Sequence, residues 1–156
     1  MRRKDRKITD KHEMLDILNK ADACRIAFAV NNTPYIVCMN FGYEWDGKRL
    51  KLYFHCAKEG KKLDLMRRNN YVCFQIDTDH MLEYIPEIVY CTMQYKSIVG
   101  MGYLEEVTDD AERVKGLDLL MQHHGHNAPA QYPEASLKQT MALCLKVSEI
   151  SAKKKA

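Results

Sequence analysis

The chain has 156 residues, the length of one domain, with 46% hydrophobic and 29% charged residues and a formal net charge of +3. That charge lies largely in two short ends, MRRKDRK and AKKKA, which are typical of solvated termini and come with no recognised nucleic-acid-binding module. No stretch approaches the roughly 18 apolar residues that span a bilayer, and no apolar signal-peptide core follows the charged N-terminus. We therefore expect a single cytoplasmic domain over residues 1–156 that binds neither nucleic acid nor a membrane.

The first predicted elements are a helix and a hairpin. Asp10 and Glu13 have the spacing of a capping box, and apolar residues at helical intervals follow them. Two strand-forming runs, 24–30 and 34–45, flank Asn31-Asn32-Thr33-Pro34, which is typical turn chemistry. The sequence therefore predicts a helix from about residue 10 and then a β-hairpin.

A third strand, a short helix and a fourth strand are predicted next. An Asp46-Gly47 turn precedes the strand-forming run 49–56. Residues 59–69 change to a helical period with lysine and arginine on the remaining faces, and this helix is predicted to end at Asn69-Asn70. Residues 71–77 alternate between apolar and other side chains, which predicts a half-buried strand followed by a loop.

The last third of the chain predicts a long strand, a helix, a loop and a final strand. The run 89–107 contains two glycines, so it is either one bent strand or two strands that meet at a kink. A helix is predicted from about residue 108 to 123, an irregular loop over 123–136 and a strand over 141–150. Many antiparallel-type strands with short helices at their edges indicate an α+β barrel rather than alternating βαβ units.

The six cysteines indicate a reducing compartment. They form no CxxC pair, and most lie inside strand-like runs, where cysteine packs as a small hydrophobic residue. In a chain of this length the pattern is typical of reduced core thiols rather than of a disulfide framework. The six are Cys24, Cys38, Cys56, Cys73, Cys91 and Cys144.

The segment LYFHCAKEGKK, residues 52–62, has the chemistry of a phosphate site. It runs from a predicted strand into a predicted helix, whose first N–H groups and positive dipole end attract anions. Gly60 permits a tight turn and a close approach of the backbone to a ligand. Three lysines of the kind that hold phosphates are Lys58, Lys61 and Lys62. The alternative is an exposed basic loop with nothing bound.

Three segments together resemble a known family. They are PYIVCMNFGYEWDG (34–47), LYFHCAKEGKKLDLMRRNNYVCFQID (52–77) and QYKSIVGMGYLEEV (94–107). The chain resembles the nitroimidazole-resistance (Nim) branch of the pyridoxamine 5′-phosphate oxidase-like flavoproteins in the order and spacing of its elements. The resemblance runs from about residue 3 to residue 150. The resemblance implies a split β-barrel of six or more mostly antiparallel strands with short peripheral helices, and a homodimer with flavin mononucleotide (FMN) at the subunit interface.

The resemblance also implies three sets of cofactor contacts. The strand expected along the isoalloxazine ring contains Cys38, Met39, Asn40 and Phe41. The residues expected around the ribityl phosphate are His55, Lys58, Gly60, Lys61 and Lys62, with Lys61 as the main contact. The contacts expected from the side are Ser97, Gln94 and Tyr95, although Ser97 without the resemblance could equally face solvent. The histidine that matches His55 is proposed as catalytic in some Nim-like proteins, so His55 is either catalytic or only a cofactor contact.

The implied activity is electron transfer from a reduced nicotinamide or a similar donor to a small acceptor such as a nitroimidazole or nitroaromatic. The alternative is a flavin- or haem-binding module without turnover. Two departures from the family pattern limit the analogy. The final strand reads Ile150-Ser151-Ala152-Lys153 where the family commonly has a glycine-lysine pair. No arginine-rich C-terminal segment is present, so oxidation of pyridoxamine phosphate itself is not expected.

Two further groups of residues admit both a structural and a functional interpretation. The histidines of 123–126 could bind a metal ion, but they follow a helix without a carboxylate or cysteine pattern, so we expect no metal site. Tyr43, Trp45, Tyr53 and Phe54 could stack on a flavin or a substrate, or they could fill the core or a dimer interface. The absence of G-x-S-x-G, HExxH and P-loop motifs argues against a hydrolase or a nucleotidase.

Overall fold

The computed structural model describes residues 3–127 and 130–155. The outermost residues of both charged tails, and residues 128 and 129 of the predicted loop, therefore lie outside the described part. The helices are α1 (Lys11–Lys20), α2 (Lys61–Arg68), α3 (Asp110–His123) and α4 (Glu134–Gln139). The strands are β1 (Lys7–Ile8), β2 (Cys24–Val30), β3 (Thr33–Met39), β4 (Gly42–Trp45), β5 (Leu50–Ala57), β6 (Tyr71–Ile85), β7 (Tyr90–Glu106) and β8 (Thr140–Lys155).

The strands form one curled sheet. Their order is β3-β2-β6-β7-β8-β5-β4, with β1 on β8, and every pairing is antiparallel. The two edge strands, β3 and β4, are joined by only Asn40 and Phe41. Because two residues span roughly 7–10 Å, the edges must lie close together and the sheet must close on itself. The predicted α+β barrel of mostly antiparallel strands is therefore confirmed.

The barrel interior is filled by alternate residues of the central strands. Ile26, Phe74 and Gly100 stand opposite one another across β2, β6 and β7. Ile26 and Phe74 are fully buried, and a Cβ on Gly100 would lie 2.4 Å from the Phe74 ring. Gly102 approaches β8 in the same way, since its Cβ would lie 2.3 Å from the Lys146 carbonyl oxygen. The two glycines let β7 bend against β8 next to the register shift at 101–102.

The predicted run 34–45 is two strands rather than one. β3 pairs with β2 and β4 pairs with β5, so the chain changes partner at residues 40–41. The hairpin between β2 and β3 is confirmed, and its turn is the pair Asn31-Asn32, with φ values of 51° and 58°. Both residues are left-handed, as in the type I′ turns that suit a two-residue hairpin. Thr33 and Pro34 already belong to β3.

The predictions also ended two strands too early and missed one helix. β6 continues past residue 77 to Ile85, so the loop predicted there is wrong. The polar residues Asp79 and His80 fall at a register shift between Thr78 and Met81, and this bulge interrupts the alternation on which the prediction rested. β8 continues to Lys155, and α4 lies inside the range that was predicted as loop or was left unassigned.

Helix α3 packs closely on β4 and β5 through two glycines that leave no room for a side chain. A Cβ on Gly42 would lie 2.3 Å from the Leu120 amide nitrogen, and one on Gly116 would lie 2.6 Å from the Tyr53 ring. Tyr53 and Phe54 are each 1% exposed, so both fill the interior of the fold. The two glycines therefore set how closely α3 approaches the sheet.

The cysteines divide between the core and the surface. Cys24, Cys56 and Cys144 are buried free thiols, and burial raises the pKa of Cys144 to about 11. Cys38 and Cys91 are exposed. Among residues 3–127 and 130–155, no helix is long and apolar enough to cross a membrane.

We expect Gly42→Ala to lower the free energy of unfolding by ~1–3 kcal/mol, because the added methyl group collides with the α3 backbone, which cannot rotate away. Urea unfolding followed by circular dichroism measures the change. Gln122→Ala, at an exposed position of α3, is the control and should stay within ~0.5 kcal/mol of the wild type. Equal stability of Gly42→Ala and the wild type would contradict the close packing.

Candidate functional site

The turn between β5 and α2 ends in an open helix N-terminus. Gly60 is the N-cap at φ 130°, and no atom lies within 4 Å of the place where its Cβ would stand. The amides of Leu63 and Asp64 donate to the Gly60 carbonyl oxygen at 2.9 and 3.3 Å. Among the described residues, the amides of Lys61 and Lys62 have no acceptor. Two N–H groups and the positive end of the helix are therefore available to an anion.

Three lysine side chains add positive charge at this N-terminus. The Lys61 ammonium lies 4.4 Å from the centroid of the Tyr35 ring, so the turn stands beside β3. Lys62 is half-buried near Cys56, whose pKa is raised by burial and lowered in part by that lysine. None of Lys58, Lys61 and Lys62 forms an ion pair within the described part of the chain, and the turn therefore keeps a net positive charge. We call residues 58–62 the phosphate turn, after the contact that the sequence analysis predicts for them.

The strand predicted to follow a flavin ring is only partly open to a ligand. Cys38 is exposed and Met39 is half-buried. Asn40 donates from Nδ2 to the Asp22 carbonyl oxygen at 2.9 Å. Phe41 is fully buried and its ring centroid lies 4.6 Å from that of His123, so its side chain has no surface left for a cofactor.

His55 faces a different surface from the β5 core residues. Leu52 and Phe54 point into the barrel, so the alternation of β5 places His55 on the opposite face, where it is exposed beside α3 and α4. There it lines a cavity of about 190 Å³. The other lining residues are Leu117, Leu120, Met121, Tyr132, Ser136, Leu137 and Thr140. The cavity is mainly apolar, with a few hydroxyl groups and one imidazole.

Ser97 carries a buried hydroxyl group without a partner. The residue is 6% exposed, and its Oγ makes no hydrogen bond within the described residues. Its neighbours across the sheet are Asp77 on β6 and Lys153 on β8. A buried hydroxyl group without a partner is costly, so a water molecule, a ligand or another chain is expected to complete it.

Gln94 and Tyr95 lie two to three residues before Ser97 and line a groove of about 500 Å³. The Lys153 ammonium stands 5.4 Å from the centroid of the Tyr95 ring. Lys154 and Lys155 also line this groove, although Lys154 is paired with Glu13 at 2.6 Å. Ser97 does not line this groove, and the alternation of β7 places the Gln94 side chain on the opposite face from Tyr95 and Ser97.

The predicted contacts do not all meet within one subunit. His55 pairs with Ala142 of β8, whereas Ser97 pairs with Lys153, eleven positions further along the same strand. At about 3.3 Å per residue, those positions are ~36 Å apart along β8. The phosphate turn and His55 thus lie toward one end of β8, and Ser97 lies at the other end.

An apolar outer face was missed by the sequence analysis. Side chains of β3, β2, β6 and β7 that point away from the barrel interior form this outer face, which includes Ile36, 65% exposed, and Tyr103, 49% exposed. It also carries a polar group at Arg25, which pairs with Gln75 and Asp77. Along β7 the face is a stripe of alternate residues. They are Cys91, Met93, Tyr95, Ser97, Val99, Met101 and Tyr103. The signal was present in the sequence, because Lys96 is the one charged residue between Tyr90 and Tyr103, so both faces of this part of β7 lack other charges.

The histidines of 123–126 contribute a structural link. His123 Nε2 lies 2.7 Å from the Ala21 carbonyl oxygen, and its ring packs against Phe41 and Tyr43. Burial lowers the pKa of His123, which favours the neutral ring in this position. No group of three or more histidine, cysteine or acidic side chains with metal-binding geometry occurs among the described residues.

Comparisons with known proteins agree with this architecture. The profile of a family described as "Pyridoxamine 5′-phosphate oxidase" matches residues 10–154. A solved structure of a candidate 5-nitroimidazole antibiotic resistance protein from Bacteroides thetaiotaomicron VPI-5482 is 30% identical, with a TM-score of 0.83 over 94% of this chain and 85% of that one. Among curated proteins, none is significantly similar to this chain.

Two more distant structures share the fold. An FAD and heme binding protein from Mycobacterium smegmatis is 20% identical, with a TM-score of 0.76 over 96% of this chain and 73% of that one. An FAD-binding protein from Mesorhizobium loti is 22% identical, with a TM-score of 0.68 over 97% of this chain and 98% of that one.

We expect Ser97→Ala to raise the free energy of unfolding of the ligand-free monomer by ~1 kcal/mol, because it removes a buried hydroxyl group that lacks a partner. Chemical unfolding at low protein concentration measures the effect. The control is Ser151→Ala, which removes a hydroxyl that donates to the Val99 carbonyl oxygen at 3.3 Å and should lower stability by ~0.5–1 kcal/mol. Loss of stability in Ser97→Ala would mean that its hydroxyl group has a partner.

Proposed function

Because this chain belongs to the pyridoxamine 5′-phosphate oxidase family, we propose that it is a flavoprotein that binds FMN between two copies of itself and uses it as an oxidoreductase. Membership rests on the family match over residues 10–154. The observation that carries the cofactor assignment is the phosphate turn, with two amides and three lysines that have no hydrogen-bond acceptor or ion-pair partner among the described residues.

The phosphate turn fits the dianionic end of FMN. The amides of Lys61 and Lys62 would donate to phosphate oxygens, and the missing Cβ of Gly60 leaves room for them. The lysine ammonium groups of the turn would balance the phosphate charge. Lys61 is the main contact in this proposal, since it stands between the helix N-terminus and β3.

The position of Ser97 supports a site that is shared between two subunits. Its hydroxyl group is buried and unpaired, yet it lies at the far end of β8 from His55. A second copy packed on the outer face would cover Val99 and Tyr103, and it would allow Ser97 and Tyr95 to serve the cofactor held by that copy. The Gln94 side chain lies on the opposite face of β7 and is not part of this surface. The same packing explains why a soluble protein keeps large apolar side chains exposed on one face.

When bound, FMN would supply electron or hydride transfer between a nicotinamide donor and a small acceptor such as a nitroimidazole or nitroaromatic. The chain itself would hold the phosphate, cover one side of the ring and exclude water. The cavity beside His55 has the size and the apolar lining for a small flat acceptor. His55 could exchange a proton with an acceptor placed there, and Tyr95 is a second proton source near Ser97.

The second candidate function is a flavin- or haem-binding module without turnover. The Mycobacterium smegmatis structure, which shares the fold, is named for binding FAD and heme. A module of this kind would use the same phosphate turn, so the two functions differ only in reactivity. Reduction by a nicotinamide donor is therefore the property that separates them.

Absorbance spectra of the purified protein test the proposal directly. We expect flavin bands and release of FMN, identified by mass spectrometry after denaturation, and bleaching of these bands by NADH or NADPH without oxygen. A Soret band would instead support the haem-binding module. Protein that neither carries nor binds added FMN would overturn the assignment, and bound flavin that no donor reduces would overturn the oxidoreductase.

We expect Lys61→Ala to weaken FMN binding by ~10- to 150-fold, which corresponds to the ~1.5–3 kcal/mol of a charge-assisted hydrogen bond. Riboflavin, which lacks the phosphate, should bind the variant and the wild type alike. Fluorescence titration measures both dissociation constants. Lys48→Ala, an exposed lysine in the turn between β4 and β5, is the matched control and should leave both unchanged. An unaltered FMN constant in Lys61→Ala would mean that the phosphate binds elsewhere.

A further inference from the structure

The cavity beside His55 has the size of a site for one small ring. It lies between β5 and the helices α3 and α4, and its volume is about 190 Å³. Apolar cavities of ~150 Å³ hold benzene, whereas drug-sized ligands need roughly 300–1,000 Å³. The cavity therefore fits one ring with a small substituent, and it is too small for a flavin or a nucleotide. His55 and Ser136 are exposed, so a ligand can reach it from solvent.

The walls of the cavity are apolar and carry no permanent charge. Leucine and methionine side chains of both helices line it, and such groups pack well against an aromatic ring. They are Leu117, Leu120 and Met121 of α3 and Leu137 of α4. In the described part of the chain, no lysine, arginine, aspartate or glutamate lines the cavity. A charged ligand would lose its hydration there without gaining a counter-ion, which is costly.

Three polar side chains at the cavity are open to a ligand. The His55 ring and the hydroxyl groups of Ser136 and Thr140 make no hydrogen bond within the described residues. The Tyr132 hydroxyl group is already engaged, because it donates to Asp118 Oδ1 at 2.8 Å. Burial and the Asp118 hydrogen bond raise the pKa of Tyr132, which keeps its hydroxyl group protonated. A polar substituent that both donates and accepts would satisfy the three open groups.

Leu137 is the apolar contact that α4 makes with the cavity. The helix has the sequence EASLKQ, none of its residues is fully buried, and Leu137 is its one large apolar side chain. Leu137 is half-buried and lines the cavity, whereas Ala135 is exposed and does not line it. Residues two apart on a helix stand about 200° apart, so these two side chains lie on opposite faces. A substitution of Leu137 therefore changes the chemistry of the cavity without touching the sheet.

We propose that this cavity binds one neutral aromatic ring with a small polar substituent, and that Leu137 excludes charged rings. The charge of its ligand distinguishes this site from the phosphate turn, which attracts an anion. Its use as the acceptor site during turnover rests on the proposed function. Binding of the ring itself requires neither flavin nor donor.

Three ligands of equal shape and different charge test the site. At pH 7 benzamide is neutral, benzoate is an anion and benzamidine is a cation. Met121 lines the cavity, so the ¹³C NMR signal of its methyl group, assigned with Met121→Leu, reports binding to the full-length protein. Without FMN, benzamide should bind roughly tenfold more tightly than either ion, because only the ions lose the hydration of a charge.

Leu137→Lys should reverse this preference. Its ammonium group would supply the counter-ion that the cavity lacks, so benzoate should bind about tenfold more tightly than in the wild type, and benzamide less tightly. Ala135→Lys is the matched control, since it adds the same charge to the other face of α4, and it should keep the wild-type order. Displacement of α4 alone cannot create affinity for benzoate, so the gain distinguishes selectivity from local unfolding.

Three results would overturn the site. One is the absence of benzamide binding to the wild type, and another is equal affinity of the wild type for benzamide and benzoate. The third is no gain of benzoate affinity in Leu137→Lys. An equal gain in Ala135→Lys would overturn the role of Leu137.

The role of the cavity in turnover is tested separately. In FMN-loaded protein, benzamide should raise the KM for a nitroaromatic acceptor without changing kcat, because both ligands occupy the same cavity. An unchanged KM at saturating benzamide would overturn the acceptor role and leave the binding site intact. Wild-type protein that binds benzamide but no FMN would count against the proposed function alone.

Discussion

The alternation of side chains along β6 and β7 is the constraint on which the rest of the structure depends. Every second residue points into the barrel, and the interior set that includes Phe74 and Ile98 is fully buried. The intervening residues form the outer face, which lies open in one subunit and is apolar along β7 but carries Gln75 and Asp77 on β6. A one-residue shift in either strand would exchange the two faces, so the barrel core and the outer face are fixed by the same register.

The position of the candidate site follows from that register. The phosphate turn stands at the start of α2 beside β3, whereas Ser97 lies on the outer face of β7, next to the end of β8. One subunit therefore presents two incomplete parts: cationic and amide groups without an anion, and a buried hydroxyl group without a partner. In the dimer that we propose, packing of the two outer faces would complete both parts and would remove apolar surface from water at the same time.

The sequence predicted well those elements that are defined by local chemistry. The Asp10 cap, the Asn31-Asn32 turn and the helix of the phosphate turn each depend on neighbouring residues, and the structure confirms them. The extension of β6 could not be predicted, because its pairing with β7 resumes only beyond a bulge at Asp79 and His80. The lysine-rich end of β8 is a strand because β1 and β7 pair with it.

The same limit applies to the candidate site, where only the features set by neighbouring residues could be predicted. The lysines of the phosphate turn were visible locally, and the phase of β5 could have shown that His55 points away from Leu52 and Phe54. The burial of Ser97 depends on distant strands.

The direct test of the shared site is a purified mixed dimer of a Lys61→Ala subunit and a Ser97→Ala subunit, carrying different tags. We predict one FMN bound with wild-type affinity per mixed dimer, because one of its two sites would contain neither substitution. Two weakened sites, one affected by Lys61→Ala and the other by Ser97→Ala, would contradict the shared site.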